Sequence, residues 1–332
     1  MKKKDFSRAP NFHKVFEERI KKLLVSKDDF DKYVDFSSRE PLCSIRCNTL
    51  KISPKELLFK LRSNGWVVDQ PFSSHPEIMV VTSILQPGAL GKSVEHLLGY
   101  FYVQEISSML PIIALNPKSD DRLLDLCSAP GSKTTQAAAS MFNNGLLIAN
   151  DNSPSRTRVL AANLERMGVS NTLVTCEDGS RFCDKTINKT KILFSKVLLD
   201  APCSGEGTVR SSRSAASDWS LDLVQSLSKR QKKLIVDAFR VLEVGGVMIY
   251  STCTHSPEEN EEVVDFLIKN YDAEVLPISI PVKSRSGLTS WDGKKFDSSL
   301  VNACRIYPQD NDTEGFFLCK IKKLSNSKRG TN

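Results

Sequence analysis

The stretch Arg122-Leu-Leu-Asp-Leu-Cys-Ser-Ala-Pro-Gly-Ser-Lys133, continued by Thr134-Thr-Gln-Ala-Ala-Ala139, decides the fold. Residues 123–126 read as a buried parallel strand, 127–132 as a tight loop, and Lys133 onward as a helix of good formers. Strand, loop and helix in that order hold nucleotide-like ligands at the helix N-terminus. The loop lacks G-x-G-x-x-G, and it is not G-x-x-x-x-G-K-[ST], because Ser132 separates Gly131 from Lys133. Pro130 removes one backbone N–H from any anion nest. A dinucleotide or triphosphate is therefore disfavoured, and an adenosine-like ligand without phosphates, such as S-adenosylmethionine, fits.

Working outward, residues 145–150 form a second predicted strand ending in Asp151, and Ser153 caps a helix over 154–167 that Gly168 stops. Further strands are predicted at 173–176, ending in Glu177-Asp178, at 197–199, ending in Asp200, and at 247–250, ending in Ser251-Thr-Cys253. This alternation predicts an α/β fold, a doubly wound, Rossmann-like sheet. Ser256-Pro-Glu-Glu259 reads as a capping box opening a helix at Pro257, and closing strands are expected at 273–276 and 315–321. The polar, basic tail from Ser325 is predicted to be disordered. Towards the N-terminus, Phe12, Phe16, Ile20 and Leu24 predict an amphipathic helix over 11–25. A strand near 43–48, a helix opened by Ser53, Pro54 and Glu56, and a strand at 78–81 predict a small α/β module. RNA-recognition modules are built this way, as are many other domains. The expected division is 1–96 for the helix and RRM-like module, 97–324 for the catalytic domain and 325–332 for the tail. Tyr100, Phe101 and Tyr102 suit either base stacking or core packing. The loop over 204–220, with Arg210 and Arg213, suits either substrate contact or a solvated surface.

Composition sets wider bounds. With 332 residues, 40% hydrophobic and 26% charged, the chain can bury a large core. No apolar run reaches the roughly 18 residues that span a bilayer, and no apolar segment follows Met1-Lys-Lys-Lys4 to make a signal peptide. A cytoplasmic protein without membrane attachment is expected. The nine cysteines lack C-x-x-C pairs, so neither a disulfide framework nor a metal site is indicated. Lys plus Arg outnumber Asp plus Glu by 46 to 39, for a net charge of +7, which permits a polyanionic partner without requiring one.

Three acids, Asp151, Asp178 and Asp200, end successive strands on the edge that carries the 127–132 loop. Asp151 is placed to accept from ribose hydroxyls and Asp178 from an adenine amino group. Cys203 and Cys253 each follow a strand on that same edge. Carbon 5 of a cytosine is too weak a nucleophile to take a methyl group from a sulfonium, whereas thiolate addition at carbon 6 makes it an enamine that can attack. An ordinary thiol is only a few per cent thiolate at pH 7, so positive potential is needed, and Lys133 is a candidate source. Asp200, if protonated, can donate to ring nitrogen 3.

At these residues the sequence resembles the Sun/RsmB-type RNA (cytosine-5)-methyltransferase family. The resemblance rests on residues 124–133, Asp200-Ala-Pro-Cys-Ser-Gly-Glu-Gly207, Tyr250-Ser-Thr-Cys-Thr254 with Pro257-Glu-Glu-Asn260, and Asp312-Thr-Glu-Gly-Phe-Phe317. It implies a class I methyltransferase sheet, an RRM-like region ahead of it, and RNA as partner. It further implies Cys253 as nucleophile and Cys203 as the cysteine that helps release the product. Cys127, Ser128, Ala129, Pro130, Gly131, Ser132 and Lys133, with Asp151, Asp178 and Asp200, would hold S-adenosylmethionine. Arg156 falls where the family often places a basic residue after the ribose-binding acid. Some members add a PUA-type RNA-binding domain. Without one here, a compact monomer and a compact substrate, transfer RNA before ribosomal RNA, are expected. The competing readings are a catalytically silent RNA-binding protein on the same fold, a nicotinamide oxidoreductase, whose glycine fingerprint is missing, and a DNA methyltransferase using the same chemistry.

Overall fold

A computed structural model describes residues 12–86 and 88–328. In chain order it contains α1 (Lys14–Leu23), α2 (Lys27–Ser38), β1 (Cys43–Cys47), α3 (Pro54–Ser63), β2 (Val68–Asp69), β3 (Ile78–Val81), α4 (Ala89–Lys92), α5 (Val94–Leu97) and β4 (Phe101–Val103). There follow α6 (Ile106–Leu115), β5 (Arg122–Asp125), α7 (Ser132–Ser140), β6 (Leu146–Asp151), α8 (Pro154–Met167), β7 (Thr172–Cys176), α9 (Gly179–Lys185) and β8 (Phe194–Asp200). The rest comprises α10 (Ser214–Ser217), α11 (Leu221–Arg240), β9 (Leu242–Thr252), α12 (Glu261–Asn270), β10 (Tyr271–Leu276), β11 (Arg285–Ser286), β12 (Ser290–Trp291), β13 (Lys294–Lys295), β14 (Cys304–Ile306), α13 (Pro308–Asn311) and β15 (Phe316–Lys328).

The large sheet runs β7-β6-β5-β8-β9-β15, with β14 and β10 both paired to the long β15. Pairings from β7 through β9 are parallel and β15 is antiparallel, so the carboxyl ends of five strands share one edge. Helices cover both faces, which is why β5 and β8 read as unbroken apolar runs. One face packs Val197, Leu199, Tyr250 and Phe317 under α11 and α12; the other packs Leu123, Leu147, Leu198 and Ile249 under α6 to α8. The doubly wound expectation is met.

The N-terminal module has strand order β2-β3-β1-β4, antiparallel throughout, with α3 and the two short helices as crossovers. This is the split βαβ arrangement. Its capping box forms as expected: Ser53 Oγ accepts from Glu56 N and Ser53 N donates to Glu56. One boundary is corrected here and one open reading is decided. The module extends past residue 96, because β4 pairs with β1 through Ile45↔Val103 and Cys47↔Phe101. Its sheet is covered on both faces, by α3 on one side and by Ile106 and Met109 of α6 on the other. The aromatics are packing residues: Phe101 is buried in the α3 core and Tyr102 lies beneath the guanidinium of Arg46. Arg46 itself is 2% exposed and donates to Ser132 O (2.6 Å) and Thr135 Oγ1 (2.9 Å), fastening β1 to the first turn of α7.

Elsewhere, α1 spans Lys14–Leu23, with residue 11 of the expected helix outside the described residues, and a second helix, α2, follows it. The box at Ser256 does not form. Ser256 Oγ donates inward to Glu206 (2.6 Å), and α12 begins only at Glu261 with Asn260 as its cap residue. Residues 325–328 continue β15 rather than fraying, Tyr271 being paired with Lys328; residues 329–332 lie outside the described residues.

Arg210 and Arg213 turn inward, so the loop meets the larger cavity described below through Thr208 and Ser211 and not through its arginines. Arg210 is 1% exposed and donates to Thr313 O, Glu40 O and Asp312 Oδ1, while Arg213 donates to Ser37 O and Ser38 O at the end of α2. Beside Arg210 two loops cross at glycines: Gly315 N donates to Gly207 O (2.9 Å), and Gly207 N donates to Cys253 O (2.8 Å). A Cβ at Gly207 would lie 2.4 Å from Gly315 O. Gly207→Ala therefore forces backbone apart and is expected to lower unfolding free energy by about 1–3 kcal/mol. An unchanged urea midpoint would refute the tight crossing.

Candidate active site

At the carboxyl edge the 127–132 loop is stitched to the end of β6. Ser128 N and Oγ donate to Asn150 O, Ala129 N donates to Asp151 Oδ2 (3.2 Å), and Gly131 N closes back on Ser128 O. Pro130 has no N–H, so these backbone groups leave no nest for a phosphate. Gly131 has φ +105°, and a Cβ there would meet Leu160 Cδ1 at 2.9 Å, so the turn needs glycine. Pro130 O accepts from Asn163 Nδ2 and Ser132 O from Arg46. Asp151 is buried, also accepts from Ser153 N, and pairs with Arg156 Nη2 at 3.4 Å, while Arg156 donates to Ala129 O.

A cavity of about 250 Å³ opens above this loop, walled by Cys127, Ala129, Asp151, Arg156, Asp200, Cys203 and Cys253 among others. Ser128, Pro130, Gly131 and Ser132 shape the turn without lining it. Asp178 is not in the wall either. Its Oδ1 caps α9 by accepting from Ser180 N and Arg181 N, and Gly179 is the neighbour that reaches the cavity. Asn152, Pro202, Arg230 and Leu234 also line it and were not foreseen. Arg230 and Leu234 lie on α11, whose Val224, Leu234, Ile235 and Ala238 have the helical spacing that would have exposed it. Carboxylates that accept from hydroxyls, apolar walls and no phosphate nest fit a nucleoside carrying a sulfonium, so the residues present suit S-adenosylmethionine.

Burial pushes the Cys127 thiol up, as expected of a packing cysteine. The carboxyl of Asp125, beneath the loop, is pushed up to about 7 by burial, even though Thr134 Oγ1 donates to it (2.7 Å).

Cys203 Sγ and Cys253 Sγ are 3.3 Å apart. The hydrogen bond to Cys253, reinforced by burial, holds Cys203 well above the usual thiol range, and either sulfur can be the donor of the contact. Cys253 and Asp200 line a second cavity as well, about 510 Å³, with Lys133, Ser108, Glu314 and Phe316. Cys43, Ser44 and Val103 of the module also line it. Lys133 Nζ lies 2.7 Å from Asp200 Oδ2 and 3.0 Å from Ser108 Oγ, and Ser251 Oγ donates to Asp200 Oδ1 (2.7 Å). Burial works against the Lys133 charge, but Asp200 outweighs it and keeps the ammonium above the ordinary lysine value. Lys133 thus carries its charge within electrostatic reach of Cys253, as half of an ion pair with Asp200. Burial, with Glu105 nearby, pushes Glu314 up to about 7, and Ser211 N donates to it.

Among the described residues no cluster of His, Cys, Asp and Glu is arranged to hold a metal, and no helix is long and apolar enough to cross a membrane.

The profile of the family described as 16S rRNA methyltransferase RsmB/F matches residues 112–322. The tRNA (cytosine(49)-C(5))-methyltransferase of Pyrococcus abyssi is 39% identical over 310 residues, covering 92% of this chain and 97% of that protein. Ribosomal RNA small subunit methyltransferase F of Shewanella woodyi is 40% identical over 319 residues, 95% of this chain but only 64% of that protein's length. Among solved structures, NSun6 from Pyrococcus horikoshii, determined with the S-adenosylmethionine analogue SFG, matches with a TM-score of 0.79 and 26% identity, covering 95% of this chain and 99% of that one. With a phosphate-free nucleoside cavity meeting a cysteine pair at the edge of a doubly wound sheet, the chain belongs to the RsmB/F (Sun) family of S-adenosylmethionine-dependent RNA cytosine-5 methyltransferases.

Proposed function

We propose that this chain methylates carbon 5 of a cytosine in RNA, transfer RNA in preference to ribosomal RNA, through a transient bond between Cys253 and carbon 6. The observation that carries this reading is that Cys253 lines both cavities, one suited to the cofactor and one wide enough for a flipped base. When bound, S-adenosylmethionine supplies an electrophilic methyl group. Cys253 Sγ adds to carbon 6, and the displaced ring electrons make carbon 5 nucleophilic enough to take that methyl group. The Lys133–Asp200 pair stands in the same cavity and offers a proton-bearing group where charge builds on ring nitrogen 3. Loss of the carbon 5 proton then drives the Cys253 sulfur off carbon 6, and the ring regains aromaticity. Cys203, in contact with Cys253, is the group placed to help that second half.

The strand ends of the module, through Cys43, Ser44 and Val103, form part of the proposed base cavity, which supports a role for residues before 104 in holding RNA. Its covered sheet face argues against base stacking of the RRM kind. The match to the P. abyssi tRNA (cytosine(49)-C(5))-methyltransferase, which takes in 97% of that enzyme, supports the preference for transfer RNA. A catalytically silent binding protein would have no use for two thiols in contact at a cavity junction.

Incubation with labelled S-adenosylmethionine and separated tRNA and rRNA fractions tests the substrate; label in rRNA alone would reverse the preference. Cys253→Ala is expected to abolish transfer while leaving cofactor affinity within a few-fold in calorimetry, and turnover by that variant would defeat the nucleophile assignment. Cys203→Ala is expected to stall release, seen as a slowly migrating protein–RNA band in a denaturing gel that requires S-adenosylmethionine and vanishes when Cys253→Ala is added. Asp151→Ala removes a ribose acceptor and a loop anchor together, so cofactor affinity should fall by about 1–3 kcal/mol. Unchanged binding heat would place the ribose elsewhere.

A further inference from the structure

Neither sulfur is fixed by its own residue alone. The four residues flanking Cys203 and Cys253 are Pro202, Ser204, Thr252 and Thr254, and each is held by one of three fully buried polar side chains, Gln231, Glu259 and Asn260. Glu259 accepts from Ser204 N (3.0 Å), from Ser204 Oγ (2.5 Å) and from Gln231 Nε2 (2.9 Å). Gln231 Nε2 also donates to Pro202 O (2.8 Å). Asn260 accepts from Thr252 Oγ1 (2.6 Å) and donates to Thr254 O (2.9 Å). The two halves join where Thr254 Oγ1 meets Ser204 Oγ at 2.8 Å. Because Ser204 Oγ gives its hydrogen to Glu259, Thr254 is the donor in that link. The cradle lines neither cavity and bonds to neither sulfur, although the Glu259 charge is one of the influences that raise the Cys203 thiol.

We propose that Glu259 is a positioning residue, which holds the Cys203 and Cys253 loops in register through Ser204 and Thr254 and so sets the contact between the two sulfurs. The consequence for turnover rests on the reading that Cys203 assists product release; the spacing itself does not. A carboxylate suits the task because it can accept from the Ser204 N–H, the Ser204 hydroxyl and Gln231 at once. Alanine at 259 would strip the shared acceptor from all three, leave Gln231 Nε2 only Pro202 O and Ser204 N none, and free the Ser204 loop to move.

Two readouts separate the spacing from the chemistry. The first needs no RNA. Treated with hydrogen peroxide, the paired thiols close to a disulfide, two thiols and one peroxide giving one disulfide and two waters, and peptide mapping follows the Cys203–Cys253 product against the other seven cysteines. Glu259→Ala is expected to slow this closure on the order of tenfold, since sub-ångström misplacement of reacting groups has effects of that size. Ser204→Ala, which removes the hydroxyl relay and keeps the backbone N–H, should act in the same direction and serves if Glu259→Ala does not fold. Glu259→Gln should restore most of the rate, because its amide can keep the contacts with the Ser204 hydroxyl reversed. The second readout is the trapped protein–RNA band with Cys203 intact, expected to build up in Glu259→Ala and to fade in Glu259→Gln. Wild-type closure rates in both Glu259→Ala and Ser204→Ala would overturn the proposal. Slowed closure in those variants, with no trapped band even in Cys203→Ala, would uphold the spacing role and reject the release role of Cys203 instead.

Discussion

The carboxyl edge of the large sheet depends on one close approach of backbone to backbone, where Gly207 and Gly315 cross. A Cβ at Gly315 would lie 2.3 Å from His255 Cε1 and 2.9 Å from the Gly207 Cα, so no larger residue fits on either side. The approach lets Gly207 bond Cys253 O and Gly315 bond Gly207 O in series, tying the loops after β8 and β9 to the entry of β15. Arg210 reinforces the knot by reaching Thr313 and Asp312 from the first loop and Glu40 from the N-terminal segment. Three segments distant in sequence thus meet at fixed spacing, and the small cavity and the large one share a wall where they do.

How much of this was legible in the sequence differs by element. The strands from 123 to 250 and the helix from Pro154 to Gly168 were readable because buried parallel strands are continuous apolar runs and because Ser153 and Gly168 mark both ends of α8. The strand-end position of Asp151, Asp200, Cys203 and Cys253 followed from the same pattern, and the structure brings all four to one cavity. What failed were residues whose local chemistry has two uses. Ser256 is a good helix cap in isolation, but the buried Glu206 carboxylate competes for its hydroxyl and wins. Arg210 and Arg213 look like ligands for a polyanion, yet they satisfy carbonyls on α2 and near β15 that sequence spacing could not reveal. Asp178, expected at a ligand, also serves as a cap through Oδ1, a second use that its strand-end position does not reveal. Tertiary partners decide such cases, and a single sequence does not contain them.

The polar groups around the two cysteines show a division of labour. Lys133, Asp200 and the sulfurs face cavities; Gln231, Glu259 and Asn260 lie behind them with almost every donor and acceptor used. Burial pushes Glu259 up to about 7, so its bonds from Ser204 and Gln231 do not fully offset the cost of keeping a carboxylate there.

Arg46 carries a different implication. Its guanidinium leaves the module and ends on Ser132 O and Thr135 Oγ1, the first turn of the helix that begins at the nucleoside loop. Opening the module therefore strips partners from that loop, and loosening the loop strips partners from the module. The two are therefore expected to open as one cooperative unit, so occupancy of the small cavity should slow amide exchange in β1, a strand that contributes nothing to that cavity's wall.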